Sequence, residues 1–205
     1  MIQPQITSLF FAPMKAYVEA KIVSLTPQMA ETHVHGEWWS DDALEAEFNP
    51  MPIDRFWDWN ILEIEWQGRG LASEKVAILA GDERPVQGAM MISTEPVDSV
   101  LESGAQGLFV ELLFTAPQNR PMLRKDQQDF FKGVGVRLLT WGAEFSRDKG
   151  YGGRLLLDSS PDYVAWYKNR GLQTLGLEPI LYQGVSYTPM ELSVVSAEKL
   201  LTDVG

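Results

Sequence analysis

The sequence predicts an α+β domain built on one mixed sheet, and three observations carry that prediction. Leu108 to Phe114 is apolar and β-prone and is stopped by Pro117. Further on, Val134, Leu138, Leu139 and Trp141 to Ala143 recur at helical spacing as far as Asp148-Lys149-Gly150. Strand-like Arg154-Leu155-Leu156-Leu157-Asp158 follows, with a short helix opened by Ser159-Ser160-Pro161. Ahead of all this, Glu74 to Ala80 and Val86 to Thr94 flank the turn Gly81-Asp82-Glu83-Arg84-Pro85 and read as a hairpin.

The remaining elements fall into order around that frame. Ala16 to Leu25 reads as a first strand, and Thr26-Pro27 as an N-cap followed by proline at the first helical position. Ser40-Asp41-Asp42 caps a helix through Phe48. A further helix covers Ile53 to Glu65, with Phe56, Trp57, Ile61 and Leu62 on its apolar side. The chain closes with strands at Leu172 to Leu175 and Tyr187 to Val194. No repeat, low-complexity tract or linker divides it, so residues 1–205 are expected to form a single domain.

Composition narrows the function classes. Of the 205 residues 45% are hydrophobic, with seven Trp and nine Phe, which fits a well-packed globule. No apolar run is long enough for a transmembrane helix, and Met1-Ile2-Gln3-Pro4-Gln5 lacks the basic start of a signal peptide. The expectation is a cytoplasmic protein with no membrane partner. The absence of cysteine removes disulfides, Cys-based zinc sites and a thiol nucleophile. A net charge of −11 argues against nucleic acid as a partner.

Basic residues nevertheless cluster at one place. Arg120, Arg124, Lys125, Lys132 and Arg137 put five of seventeen Lys and Arg within eighteen residues, against Asp126 and Asp129. Inside that island lies Lys132-Gly133-Val134-Gly135-Val136-Arg137, at the start of the predicted helix. Glycines at such a junction leave backbone N–H groups uncovered at a helix N-terminus, where they and the positive dipole end bind anions such as a pyrophosphate. A Rossmann fingerprint needs a third small residue where Leu138 stands, and there is no P-loop ending. The bland alternatives are glycine used for close packing and a solvated charged loop.

The order of elements and the residues within them resemble the GNAT superfamily of N-acetyltransferases, from about Trp57 to Leu192. The likeness is greatest to a bacterial subgroup carrying Trp-Asp-Trp, Gln-Gly-hydrophobic-Met and Ala-Pro-x-Asn-Arg. These stand here as Trp57-Asp58-Trp59, Gln87-Gly88-Ala89-Met90 and Ala116-Pro117-Gln118-Asn119-Arg120. The resemblance implies a GNAT-like mixed, mostly antiparallel sheet flanked by helices. It also implies acetyl-CoA as acyl donor, no metal, and direct transfer of the acetyl group to the primary amine of a small molecule or peptide. Hydrophobic late strands in this fold are compatible with a homodimer.

Residue by residue, the resemblance places Phe114, Thr115 and Ala116 along the pantetheine arm and the amides of Gly133, Val134, Gly135 and Val136 at the pyrophosphate. The family's loop is Gln/Arg-x-x-Gly-x-Gly/Ala, and Phe130 departs from it at the first position. A stretch from about Pro121 to Phe131 also separates Arg120 from the loop. Lys132, Arg137 and Arg120, in that order, are the candidate cations. Tyr163-Val164-Ala165-Trp166-Tyr167-Lys168-Asn169-Arg170-Gly171-Leu172 resembles the aromatic-Tyr-x-x-x-Gly-Phe element, in which the tyrosine protonates the departing thiolate. A phenol with a pKa of about 10 suits a thiolate of about 8.5. Tyr167 takes that role, Ser160 stands where the family often has Asn, and Tyr163 joins the cofactor set.

A lysine-like amine of pKa about 10.4 costs roughly 4.6 kcal/mol to deprotonate at pH 7, so a base helps. Glu111, four residues before Thr115 on the long strand, is the candidate. Pairing with a structural arginine is the other reading, and Glu191 is the substitute base. His33-x-His35 has two potential metal ligands, too few for a site. Trp38, Trp39, Trp57, Trp59 and Trp66 could wall an acceptor pocket, but core packing is the commoner use of such residues. The rival functions are a non-catalytic CoA-binding module on the same fold and an unrelated dinucleotide binder.

Overall fold

A computed structural model describes residues 2–38, 72–81, 85–121, 130–182 and 184–203. Its strands form one mixed, mostly antiparallel sheet in the order β6-β1-β2-β3-β4-β5-β7-β10-β8, with β9 paired to β10. The chain divides into two compact units, Met1–Met90 with Leu113–Leu138 and Met91–Leu112 with Leu139–Gly205.

The first unit opens with β1 (Gln5–Phe11) and β2 (Ala16–Ser24), an antiparallel pair in which Phe10 faces Tyr17 and Gln5 faces Ile22. Period-two alternation buries Leu9, Ala20 and Ile22 while Ile6, Tyr17, Glu19 and Lys21 face outward. Thr26 Oγ1 accepts from the Met29 N–H at 3.2 Å, with Pro27 leading α1 (Pro27–Met29), which continues as a π-type helix over Ala30–Glu37. β3 (Ser73–Leu79) pairs antiparallel with β2. β4 (Val86–Asp98) is buried without a break from Val86 to Ser93, as a strand covered on both faces must be. β5 (Gln106–Thr115) alternates: Val110, Leu112 and Phe114 are buried, and Phe109, Glu111, Leu113 and Thr115 are half-exposed. After a short 3₁₀ turn at Pro117–Asn119, β6 (Phe131–Lys132) pairs antiparallel with β1 and leads into α2 (Val134–Ser146).

Residues Met91–Asp98 of β4, Gln106–Leu112 of β5 and Leu139–Ser146 of α2 belong to the second unit. There Leu108–Val110 of β5 run parallel to β7 (Leu155–Ser159), which pairs antiparallel with β10 (Val185–Leu192). β8 (Leu172–Thr174) and β9 (Ile180–Tyr182) both join β10. Helices α3 (Val164–Lys168) and α4 (Val194–Asp203) complete the unit. Its interior holds Leu155, Met190, Leu192 and Ala197, all fully buried.

Most expected elements are present, with instructive differences. The run Leu9 to Met14 reads in sequence only as apolar, whereas its first part belongs to strand β1. β4 continues past Thr94 to Asp98 despite Pro96. Ser93 Oγ donates to the Glu95 carbonyl at 2.6 Å and accepts from the Glu95 N–H at 3.1 Å, so a side chain serves the backbone ahead of the proline. β6 and β9, of three residues or fewer, and α4 have no counterpart in the sequence pattern. The helices expected from Ser40 to Phe48 and from Ile53 to Glu65 lie outside the described residues.

Candidate active site

The glycine loop is built by residues of the first unit. Gly133 has φ +90, a conformation open to glycine and costly for other residues. It turns the chain from β6 into α2. The Arg137 N–H donates to the Gly133 carbonyl at 2.9 Å, so the amides of Val134 and Gly135 precede the hydrogen-bonded ladder. Val134 is buried, Gly133 is exposed, and Gly135, Val136 and Arg137 are half-exposed.

The polar motifs explain how this helix start is held. Asn119 Nδ2 donates to the Gln87 carbonyl at 3.1 Å and to Gln87 Oε1 at 3.0 Å, while its Oδ1 accepts from the Phe131 N–H at 2.7 Å. One side chain therefore ties the strand entering the loop to β4. Gln87 Nε2 donates in turn to the Ala80 carbonyl at 2.9 Å. Gly88 lies beneath α2, and a Cβ there would meet Val134 Cγ1 at 2.6 Å and the Phe114 carbonyl oxygen at 3.0 Å. The Gln-Gly and Asn-Arg motifs are thus positioning devices, a role their sequence pattern alone does not reveal.

The three candidate cations differ in what they do. Arg120 is buried, and its Nε donates to the Thr115 carbonyl at 2.7 Å. Arg137 Nε donates to the Ser8 carbonyl at 3.2 Å. Lys132 is the most exposed of the three, and its ammonium lies 5.5 Å from the Phe10 ring centroid and 5.9 Å from that of Phe130. Phe130, the departure from the family loop, therefore brackets a cation one residue ahead of the glycine, with each ring contributing about 0.5–1 kcal/mol of cation–π attraction at an exposed site. At the end of β5, Phe114 is buried edge-on to Trp38 at 5.3 Å, Thr115 is half-exposed, and the Ala116 N–H donates to the Gln87 carbonyl at 2.9 Å. Trp38 Nε1 donates to the Val86 carbonyl at 2.9 Å, which makes it core; the other tryptophans of the expected aromatic wall lie outside the described residues.

In the second unit, the parallel register of β5 and β7 ends at Val110↔Leu157. Both strands continue beyond that pair, β5 with Glu111 and Leu112 and β7 with Asp158 and Ser159. Glu111 is half-buried there. Burial pushes the Asp158 carboxyl above its usual range.

Tyr167 is 8% exposed on α3, its ring edge-to-face with Trp166 at 4.9 Å. Burial, with a smaller contribution from the Tyr163 phenol, raises its hydroxyl pKa, so it stays protonated across the physiological range. The Arg170 guanidinium lies 3.9 Å over the Trp166 ring and donates to the Trp166 carbonyl at 2.9 Å, which fixes that ring. Gly171 has φ +91, and a Cβ on it would meet Ser196 Cβ at 3.0 Å, so the Tyr-x-x-x-Gly spacing ends in a turn that needs glycine. Ser160 precedes the 3₁₀ turn Pro161–Tyr163, whose last residue donates its N–H to the Ser160 carbonyl at 3.1 Å; Tyr163 is 37% exposed.

Glu191, the substitute base, is engaged in structural hydrogen bonds. Fully buried, it accepts from Ser99 Oγ at 2.6 Å, the Val100 N–H at 2.9 Å, the Leu101 N–H at 3.2 Å and Arg154 Nη1 at 2.7 Å. Burial opposes its charge, yet these donors outweigh it and hold the carboxyl below the usual range. Arg154, also fully buried, reaches Glu102 as well. Among the described residues no group of His, Asp and Glu could hold a metal ion, and no helix is long and apolar enough to cross a membrane.

No protein-family model matches the chain, and no curated protein does. Solved structures do. A bacterial toxin superposes with a TM-score of 0.55 at 15% identity, covering 89% of this chain and 95% of that one. A chimera of a Vibrio cholerae spermidine N-acetyltransferase and hSSAT gives 0.52 at 13% identity, covering 89% and 98%. A GCN5-related N-acetyltransferase of Rhodopseudomonas palustris gives 0.51 at 15% identity, covering 84% and 94%. The chain has the GNAT acetyltransferase fold. In the GNAT fold as this chain builds it, the glycine loop opens α2 and the long strand is β5, as the sequence led one to expect.

Proposed function

We propose that the protein is an acetyl-CoA-dependent N-acetyltransferase that moves an acetyl group directly to a primary amine. The observation that carries this reading is the helix start at Gly133, with a left-handed glycine, the Val134 and Gly135 amides ahead of the helical ladder and an exposed Lys132 beside them, within the GNAT fold. A pyrophosphate is the anion class that such a start accepts. The residues fit the donor: Gly133 has open space where a side chain would stand, and the Lys132 ammonium is held by rings with no carboxylate neutralising it among the described residues.

The bound thioester supplies an activated acetyl group. In the proposed roles, Glu111 takes the proton that the amine must lose before its nitrogen bonds to the carbonyl carbon. As the C–S bond breaks, the Tyr167 hydroxyl gives its proton to the sulfur. Phe114, Thr115 and Ala116 line the pantetheine arm, with Arg120 bracing the Thr115 carbonyl; Arg137, Ser160 and Tyr163 complete the donor set. An acidic chain favours a cationic acceptor, and the likeness to a spermidine N-acetyltransferase makes polyamines the first to try.

The test is thiol release from acetyl-CoA against a panel of primary amines, with Tyr167→Phe alongside the wild type. Turnover should fall tenfold or more in the variant while acetyl-CoA affinity holds. Turnover equal to wild type would remove Tyr167 from the mechanism, and absence of thiol release with every amine class would count against the enzyme reading.

A further inference from the structure

The outer face of β1 and β2 carries an aromatic surface that the roles above leave unused. Phe10 and Tyr17 stand opposite each other across that pair, edge to face at 5.6 Å and 77°. Lys132 stands opposite Phe10 on the other side, in the β1–β6 register, with its ammonium over the Phe10 ring. Tyr17 is 71% exposed, and Ile6 on the same face is 69% exposed. The nearest carboxylate along β2, Glu19, is paired with Lys21 at 3.5 Å. This face thus presents an open phenol ring, a cation and no uncompensated negative charge from Glu19.

We propose that this surface binds the purine nucleoside end of the acyl donor, with the Tyr17 ring stacking on the base and Lys132 Nζ meeting the adjoining phosphates. The inference rests on the acetyl-CoA reading, because the loop that would hold the pyrophosphate begins at Gly133, the residue after Lys132. Adjacent strands lie about 4.8 Å apart, so β6, β1 and β2 place Tyr17 about 10 Å from the Lys132 backbone. A nucleoside extending from a phosphate at the loop can cover that span. Aromatic faces take flat bases readily because every base has a π-face, and stacking on the exposed Tyr17 ring removes apolar surface from water. The cation is restrained in advance by Phe10 and Phe130, which lowers the ordering cost of binding.

The experiment is titration of the full chain, as wild type, Tyr17→Ala and Tyr17→Phe, with acetyl-CoA and separately with 4′-phosphopantetheine, which lacks the nucleoside. Expected is about tenfold weaker acetyl-CoA binding in Tyr17→Ala, recovery in Tyr17→Phe, and the same phosphopantetheine affinity in all three. Acetyl-CoA affinity unchanged in Tyr17→Ala, or equal losses for both ligands, would overturn the proposal. So would wild-type protein that binds the two ligands equally, an outcome that leaves the donor reading standing. Wild-type protein that binds neither refutes the donor reading itself.

Discussion

At Gly88 hydrogen is the only side chain that fits, because β4 passes directly beneath the first turn of α2. Gly88→Ala forces Val134 or the Phe114 backbone to move, so overpacking should cost about 1–3 kcal/mol, read as a lower denaturation midpoint. Both groups it displaces border the proposed donor site, so acetyl-CoA affinity should fall with stability. Lys132 offers the opposite separation. It is exposed and loses only its two cation–π contacts, so Lys132→Met should lower stability by no more than about 1–2 kcal/mol. Acetyl-CoA binding should nevertheless weaken and lose part of its salt dependence, since an unpaired cation near phosphate acts through charge.

Among the elements, the loop from Ser99 to Gln106 depends on Glu191 of β10, whose carboxylate receives a hydroxyl, two backbone amides and a guanidinium. Removing that charge leaves the buried Arg154 with only the solvent-exposed Glu102 as its acidic partner among the described residues, so Glu191→Gln should destabilise the fold by about 3 kcal/mol at pH 7. The sign of the pH dependence follows from the lowered pKa. The contribution is complete above the ordinary value of 4.5 and is lost as pH falls through the depressed folded value. Thermal scans from pH 6 to pH 3 should therefore show a steeper loss in the wild type than in Glu191→Gln. Sequence alone gave no sign of this network. A glutamate among the alternating residues of Tyr187 to Val194 looks like any half-exposed strand residue, and its partners stand as far as 92 residues away. Local periodicity did make β2, β3, β5, β7 and α2 readable, because each carries its burial pattern within a single run. It failed for β6 and β9, too short to show a period, and for β1, whose Leu9-Phe10-Phe11 run hides the alternation.

For the molecule as a whole, the GNAT fold accounts for the chain at 13–15% identity to the solved structures it matches, so fold and order of elements persist where sequence does not. The glycine loop was legible because a helix N-terminus and a left-handed turn need particular residues. The roles of Asn119 and Gln87 were not, since their partners come together only when the strands pair. The account's central claim is that this helix start holds the pyrophosphate of an acyl-CoA, and calorimetric titration with acetyl-CoA, with NADH as control, tests it most directly. The account predicts micromolar binding of acetyl-CoA alone, weakened in Lys132→Met. Heat from NADH alone, or from neither ligand, would contradict it.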